Sequence, residues 1–249
     1  MQSFPYDLTG PIGSRATLGL IVLQVDETLE QDMRRMLPMR DVACHVSRIP
    51  SGDELTPDTI ATMERTLPAA AALLPPAAEF DVIGYGCTSG TTLIGADCVA
   101  DLVRQGAASA RVTDPLSAAL AALESLGIQS LAIVSPYVEN VSAPVREAFV
   151  GRGYEVNATV SFGEEVEARV ARIDPASIRA AALSVAGDAD AVFLSCTNLR
   201  TLDIIEGLEA ELGKPVLSSN QALAWHMAKL AGISDVCLGP GLLFGGKRV

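Results

Sequence analysis

Short apolar runs alternate with longer, partly polar segments along most of the 249 residues. An apolar run of five to eight residues bounded by turn residues predicts a buried strand, whereas the longer segments between the runs predict helices. Strictly alternating strand and helix is typical of parallel sheets covered on both faces. We therefore predict an α/β fold of doubly wound parallel sheets, with strands at residues 17–23, 43–49, 81–87, 110–113, 130–134, 154–160, 191–196 and 214–217.

The alternation is interrupted near Thr113-Asp114-Pro115, which suggests two lobes of similar design. We assign residues 17–113 and 221–249 to an N-terminal lobe and residues 114–220 to a C-terminal lobe. The lobes are expected to be related by pseudo-twofold symmetry, with the active site in the cleft between them. Residues 1–16, which contain two prolines and two glycines, are expected to form a surface arm.

Two of the predicted strands end in the same dipeptide, Cys-Thr, at Cys87 and at Cys196. In open α/β sheets, ligands bind at the carboxyl ends of the strands. Helices are predicted to follow, from Thr91 and from Leu199, and a helix N-terminus favours the thiolate form of a nearby cysteine. Two cysteines at equivalent places in two half-chains are expected to face each other across one cleft.

Composition excludes several classes of function. The formal net charge is −12 and no basic block occurs, which argues against a nucleic-acid partner. No apolar stretch is long enough to span a membrane and no leader is recognisable, so we expect a cytoplasmic protein with no membrane partner. Five scattered cysteines and two histidines predict neither a disulfide framework nor a metal site. The chain also lacks a glycine-rich dinucleotide motif and a Walker sequence.

The motifs Gly84-Tyr85-Gly86-Cys87-Thr88-Ser89-Gly90 and Ser195-Cys196-Thr197-Asn198-Leu199 resemble the aspartate/glutamate racemase superfamily. The first is most similar to the maleate cis-trans isomerase branch, which includes ectoine-utilisation-type proteins and arylmalonate decarboxylases. The resemblance implies a cofactor-independent isomerase or racemase of a small carboxylate or amino acid, such as an amino-acid derivative in ectoine catabolism. We also expect a homo-oligomer.

The resemblance also implies roles for individual residues. Cys87 is expected to act as nucleophile or base and Cys196 as acid, on opposite faces of the substrate. Backbone amides after each cysteine are suited to hold a substrate carboxylate. The predicted substrate-binding residues are Asp26, Thr88, Ser89, Tyr137, Thr197 and Asn198.

Asp26 departs from the maleate isomerase pattern, which has an asparagine at this place. A carboxylate here would repel a substrate carboxylate, but it could pair with a substrate ammonium or orient or deprotonate Cys87. The alternative is that Asp26 only caps the following helix. The charged run at residues 163–167 is interpreted as a solvated helix start.

Two other functions stay open at this point. An arylmalonate-type decarboxylase would keep only the second cysteine, and Cys87 is present here. A non-catalytic small-molecule binding protein would have no need of either thiol.

Overall fold

The computed structural model describes residues 3–38, 40–54, 56–109 and 111–245. The first half of the chain forms a parallel four-stranded sheet in the order β2-β1-β3-β4. Its strands are β1 (Ala16–Leu23), β2 (Val42–Ile49), β3 (Val82–Gly86) and β4 (Val112–Thr113).

The second half forms a second parallel four-stranded sheet in the order β6-β5-β7-β8. Its strands are β5 (Ser130–Ser135), β6 (Glu155–Ser161), β7 (Ala191–Leu194) and β8 (Val216–Ser218). The third strand along the chain occupies the same inner place in both sheets. The predicted α/β fold of two similar halves is therefore confirmed, and β3 and β7, which precede the two cysteines, are topologically equivalent.

Helices connect the strands and cover the sheets. They are α1 (Leu29–Met36), α2 (Pro57–Ala71), α3 (Thr88–Ile94), α4 (Ala96–Gly106), α5 (Pro115–Leu126), α6 (Glu139–Val150), α7 (Glu167–Val170), α8 (Pro175–Val185), α9 (Ile205–Leu212) and α10 (Ser219–Leu230). Asp114 and Asp174 cap α5 and α8, each followed by a proline, as the Asp-Pro pairs in the sequence predict. Within the described residues, every helix is too short or too polar to cross a membrane.

The core lies on the inner strands and on the helix faces that cover them. All eight residues of β1 are buried. Helix α10 packs against strand β3 of the first sheet and against helices α1 and α5. The lobe boundaries at 113/114 and 220/221 stay a prediction, and residues 1, 2 and 246–249 lie outside the described residues.

Several predicted element boundaries differ from the structure. The single helix expected from Thr91 is broken at Gly95, whose φ of 92° separates α3 from α4. The strand expected at residues 110–113 begins at Val112, and residue 110 lies outside the described residues. The helix expected from Leu199 is preceded by a turn, because a 3-10 helix begins at Leu202 and α9 only at Ile205.

Two helical glycines should respond oppositely to replacement by alanine. A Cβ on Gly106 would lie 2.0 Å from the Pro68 carbonyl oxygen and 2.8 Å from the Ala71 Cβ, where α4 crosses α2. Gly106→Ala should therefore lower the free energy of unfolding by about 1–3 kcal/mol. A Cβ on exposed Gly207 in α9 meets nothing within 4 Å, so Gly207→Ala should raise it by about 0.4–1 kcal/mol.

Urea unfolding of both variants and of the unmodified protein measures the three free energies of unfolding and so tests this prediction. Equal effects of the two substitutions would contradict the close approach of α2 and α4.

Candidate active site

Cys87 follows β3 directly and forms the N-cap of α3. Its thiol accepts a hydrogen bond from the Gly90 amide at 3.2 Å and lies 3.7 Å from the Ser89 hydroxyl. The Thr91 hydroxyl donates to the Cys87 carbonyl at 2.8 Å. Cys87 is 3% exposed, so the side chain is enclosed as well as oriented.

Gly90 leaves room for the groups around this thiol. A Cβ at Gly90 would lie 2.8 Å from the Tyr85 hydroxyl oxygen and 2.9 Å from the Cys87 sulfur. The Tyr85 hydroxyl is also within hydrogen-bonding reach of the Cys87 thiol. Sequence analysis did not single out Tyr85, since an apolar strand commonly contains a buried tyrosine.

Cys196 is held differently from Cys87. Its φ of 135° makes it the one non-glycine with a positive φ among the described residues. Such strained backbone persists only where the surroundings enforce it, and it occurs frequently at functional sites. The turn that follows delays the next helix to Leu202, so the helix-dipole argument used for Cys196 was wrong, although the nearby Asn198 amide acts to lower the pKa of its thiol.

The two strand ends meet across the boundary between the sheets. The Ser219 hydroxyl, at the start of α10, accepts from the Cys196 amide at 3.0 Å and bonds the Thr88 hydroxyl at 2.9 Å. The Thr197 hydroxyl donates to the Gly86 carbonyl at 3.3 Å. These bonds bring the Cys87 and Cys196 turns to one place.

Tyr137 lies at the same place, just after β5. It is buried, and its hydroxyl is within hydrogen-bonding reach of the Cys196 thiol. Ionisation of either Cys196 or Cys87 would raise its pKa further. Tyr137 therefore lies close enough to both candidate catalytic groups for the charge of either thiolate to raise its pKa.

Asp26 is buried, and its two oxygens have different surroundings. Oδ1 accepts from the amides of Thr28 and Leu29, both at 2.8 Å, and so caps α1. Oδ2 lies near the Thr197 hydroxyl, but that hydroxyl donates its proton to the Gly86 carbonyl. Oδ2 therefore has no hydrogen-bond partner. Burial raises the pKa of Asp26 above its usual value. Asp26 therefore satisfies the first amide of α1 from outside the N-cap position, which Thr28 occupies, and its Oδ2 is left without a partner.

Glu167 is a site residue that sequence analysis missed. The interpretation of residues 163–167 as a solvated helix start was wrong for Glu167, which is 4% exposed. Its Oε2 accepts from the Asn198 side-chain amide at 2.9 Å, and its backbone amide donates to the Asp53 carbonyl at 3.1 Å. Burial raises its pKa to about 7. No sequence signal separated it from Glu164 and Glu165, because only tertiary packing buries it.

Asn198 spans the cleft with its side chain. Its Oδ1 accepts from the Glu27 amide at 2.9 Å, while its Nδ2 donates to the Glu167 carbonyl and carboxylate. The Thr28 hydroxyl donates to the Asn198 carbonyl at 3.0 Å. This side chain therefore ties the segment after β1 to the segment that carries Glu167.

A third buried acid supports the Cys196 turn. Asp32 accepts from the Asn220 side chain at 2.8 Å, and the same amide donates to the Thr197 carbonyl at 2.8 Å. Burial raises the pKa of Asp32 to about 7. Asn220 thus links α1 to the turn that holds Cys196 in its strained conformation.

Burial reverses the expected ionisation of the thiols. The Ser89 hydroxyl and the Gly90 amide favour the Cys87 thiolate, yet desolvation is larger and raises the pKa of Cys87 to about 11. Burial, followed by the charge of Glu167, raises the pKa of Cys196 well above its ordinary value. The low-pKa thiolate expected from the sequence is not what this closed site holds at neutral pH.

The predicted substrate-binding residues all lie in this region, but the side chains of several of them form hydrogen bonds within the protein. Thr88 bonds Ser219, Thr197 bonds Gly86, and Asn198 is fully occupied. The roles assigned to Thr88, Ser89, Tyr137, Thr197 and Asn198 toward a substrate stay predictions. Among the described residues, no group of three or more histidine, cysteine or acidic side chains is placed to hold a metal ion.

Comparison with known proteins gives the family. Residues 54–244 match the arylmalonate decarboxylase family, which is more than half of the chain. The chain belongs to the arylmalonate decarboxylase family. It is therefore a member of a family of enzymes, and the resemblance to the racemase-like superfamily inferred from the two cysteine motifs is confirmed.

Relatives with two named activities resemble this family member. It is 25% identical to the maleate isomerase of Geobacillus stearothermophilus over 92% of this chain and 97% of that one. It is 32% identical to the arylmalonate decarboxylase of Bordetella bronchiseptica, over 47% of this chain and 50% of that one.

Solved structures show the same fold. The maleate isomerase Iso from Pseudomonas putida S16 covers 94% of this chain and 99% of its own, with a TM-score of 0.83 at 24% identity. The Nocardia farcinica maleate cis-trans isomerase, in a structure with a covalently bound succinylcysteine intermediate, gives a TM-score of 0.84 at 23% identity. That match covers 92% of this chain and 98% of the other.

The buried acids predict a pH-dependent stability. Glu167 and Asp32 have pKa values of about 7 when folded, above the ordinary values of 4.5 and 3.8. Between those limits the folded chain binds more protons than the unfolded chain, so stability falls as the pH rises and the contribution is lost above about pH 7. Glu167→Gln stays neutral at every pH and should therefore reduce the loss between pH 5 and pH 8 by about 3 kcal/mol at most, roughly 6–12 °C in Tm.

Calorimetry across this pH range compares the Tm of Glu167→Gln with that of the unmodified protein. Glu165→Gln, at an exposed position, is the matched control. A pH profile of Glu167→Gln that overlays that of the unmodified protein would show that Glu167 ionises freely.

Proposed function

We propose that this protein is a cofactor-independent isomerase or racemase that acts on a small carboxylate bearing an amino group. The observation that carries the proposal is the meeting of two thiols and two buried carboxyl groups at one site. Ser219 joins the two strand ends, so that Cys87 and Cys196 belong to one cleft rather than to two separate pockets.

The two cysteines supply the acid and the base. One thiolate removes the α-proton from one face of the substrate, and the other thiol gives its proton to the opposite face, so the proton count of the pair is unchanged after turnover. For a cis-trans isomerisation, the Cys87 thiolate would add to one carbon of the double bond while the Cys196 thiol protonates the neighbouring carbon. Rotation about the new single bond, return of a proton to Cys196 and departure of the Cys87 thiolate would then restore the double bond in the other geometry. Racemisation needs the thiols on two sides of one carbon, and isomerisation needs them at neighbouring carbons.

Glu167 is suited to prepare the thiols. Burial keeps both cysteines protonated at neutral pH, so a base has to take a proton before a sulfur can react. Glu167, with a pKa of about 7, both accepts and releases a proton at that pH, and its charge acts on both cysteines. We infer that it sets which thiol is ionised.

Asp26 favours an amino group on the substrate. A buried carboxyl oxygen without a partner is costly, and a substrate ammonium would supply both the hydrogen bond and the opposite charge. The negative charge of Asp26 also raises the pKa of Glu167, and a cation would relieve that repulsion. A substrate with carboxylates alone would increase the repulsion.

The arylmalonate decarboxylase relative is the reason to keep decarboxylation as the second candidate. The presence of Cys87 favours isomerisation, because the resemblance implies that decarboxylases use the second cysteine alone. A role in ectoine catabolism is the most specific form of the proposal, and a non-catalytic binding role is the least consistent with two paired thiols.

Deuterium exchange tests the proposal directly. A panel of amino acids, their N-acylated derivatives and dicarboxylates is incubated with the protein in deuterated water, and label at the α-carbon is read by mass spectrometry. We expect label with at least one amino-bearing carboxylate. Cys87→Ser and Cys196→Ser should each reduce interconversion at least 100-fold, since serine is a far weaker acid and nucleophile.

Cys98→Ser is the matched control, because Cys98 lies on α4 and is only half-buried. Release of carbon dioxide from a malonate without exchange would select the decarboxylase instead. Full activity of either active-site variant would remove the two-thiol mechanism.

Asp26→Asn should shift the substrate preference. An asparagine oxygen can still accept the amides of Thr28 and Leu29, so α1 keeps its cap, while the opposite charge for an ammonium is lost. We expect the kcat/KM ratio of an amino-bearing carboxylate to a simple diacid to fall at least tenfold. A ratio that stays the same, with the unmodified protein already turning over maleate well, would show that Asp26 is a cap only.

A further inference from the structure

The first residues of the chain expose more apolar surface than any comparable described segment. Phe4, Tyr6, Leu8 and Ile12 are each 81–88% exposed, whereas the next most exposed large hydrophobic residue in the described part of the chain is Leu73 at 74%. Phe4, Tyr6 and Leu8 alternate with smaller or polar residues, so an extended backbone presents all three on one side. We call residues 3–12 the arm.

The arm is attached to the first sheet at Gly13. Gly13 is buried, and a Cβ there would lie 2.3 Å from the Ala16 carbonyl oxygen and 3.0 Å from the Ala43 Cβ. The chain is therefore pressed against the starts of β1 and β2 at Gly13. Before Thr9 it runs clear of its own lobe, since its side chains stay exposed.

A groove of about 730 Å³ opens beside this anchor point. Pro75, Ala77 and Ala78 form one part of its lining and the His45 ring another, while residues 9–13 of the arm itself form a wall. His45 stands edge-on to Phe80 at a centroid distance of 6.0 Å, and so offers an aromatic ring to an incoming aromatic side chain. The volume is in the range of pockets that enclose drug-sized groups.

Residues 9–13 of the chain's own arm form a wall of this groove, and Phe4, Tyr6 and Leu8 are not among the residues that line it, so they do not fill it. The arm of a second copy can do so. In a twofold dimer, the arm of each copy would enter the groove of the other copy and lie beside the arm that forms its wall. Both grooves are then filled, so the contact is closed between two copies. An extended run of six residues reaches about 20 Å, enough to cross to an adjacent subunit.

The area involved is that of a stable interface. Phe4 and Tyr6 alone would each remove about 150–250 Å² from water. Two arms, with Leu8 and Ile12 and the groove surfaces that receive them, reach the total of about 1,200–2,000 Å² that specific interfaces bury.

We propose that two copies of this chain exchange their arms, each placing Phe4, Tyr6 and Leu8 in the groove beneath the first sheet of the other. The exchange accounts for an exposed apolar arm and an open groove at the same time. It is independent of the proposed reaction, since both features lie at the starts of the strands, opposite the cysteines.

Light scattering after gel filtration tests the exchange. The unmodified protein should have twice the chain mass of 26.0 kDa or a higher even multiple, and the triple variant Phe4→Ser, Tyr6→Ser, Leu8→Ser should have half the mass of the unmodified protein. Leu73→Ser, which also removes an exposed apolar side chain, should keep the full mass. An unmodified protein of 26.0 kDa, or a triple variant of unchanged mass and unchanged circular dichroism, would overturn the proposal.

Photo-crosslinking locates the arm. With p-benzoylphenylalanine at position 6 of the purified protein, illumination should join two chains, and the joined peptide should contain His45 or residues 75–79. Crosslinks confined to a single chain, or to another face of the neighbour, would overturn the exchange even if the protein is a dimer. Sedimentation of a monomeric protein with phosphatidylglycerol vesicles would do the same and assign the arm to a lipid surface.

Discussion

One hydroxyl group, that of Ser219, connects the two halves of the molecule at the point where the candidate chemistry takes place. It receives the Cys196 amide and bonds Thr88, which directly follows Cys87. Ser218, one residue earlier, caps α10 through the Gln221 amide, and this leaves the Ser219 hydroxyl free to bridge. Because α10 also packs against β3 and α5, the position of both cysteine turns depends on where this helix begins.

Burial of the site removes its ionisable groups from water, which raises the free energy of their charged forms. Removing Cys87, Cys196, Asp26 and Glu167 from water raises the pKa of all four groups, so burial favours the neutral form of each. A substrate ammonium would change this balance at once, since it favours both carboxylates. Substrate binding and activation of the thiols are therefore coupled in this account.

The sequence was informative wherever one short pattern determines the structure. Apolar runs bounded by turns located the strands, and the repeated Cys-Thr ends identified Cys87 and Cys196 as equivalent positions. It was uninformative where distant segments meet. Glu167 shares a charged run with Glu164 and Glu165, and it is buried by its contacts with distant residues, residues 53–54 and Asn198. The strained φ of Cys196 and the bridge through Ser219 involve segments that are far apart in the sequence, and no local pattern records them.

The central claim is that both thiols act on one bound carbon atom, and a crystal structure with a slowly reacting amino-bearing carboxylate tests it most directly. The account predicts that the substrate α-carbon lies between the two sulfurs, each about 3–3.5 Å away, with the sulfurs about 7 Å apart or slightly more. It also predicts the substrate ammonium within about 3 Å of Asp26 Oδ2. A ligand bound away from both cysteines, or sulfurs that stay well over 10 Å apart around it, would contradict the account.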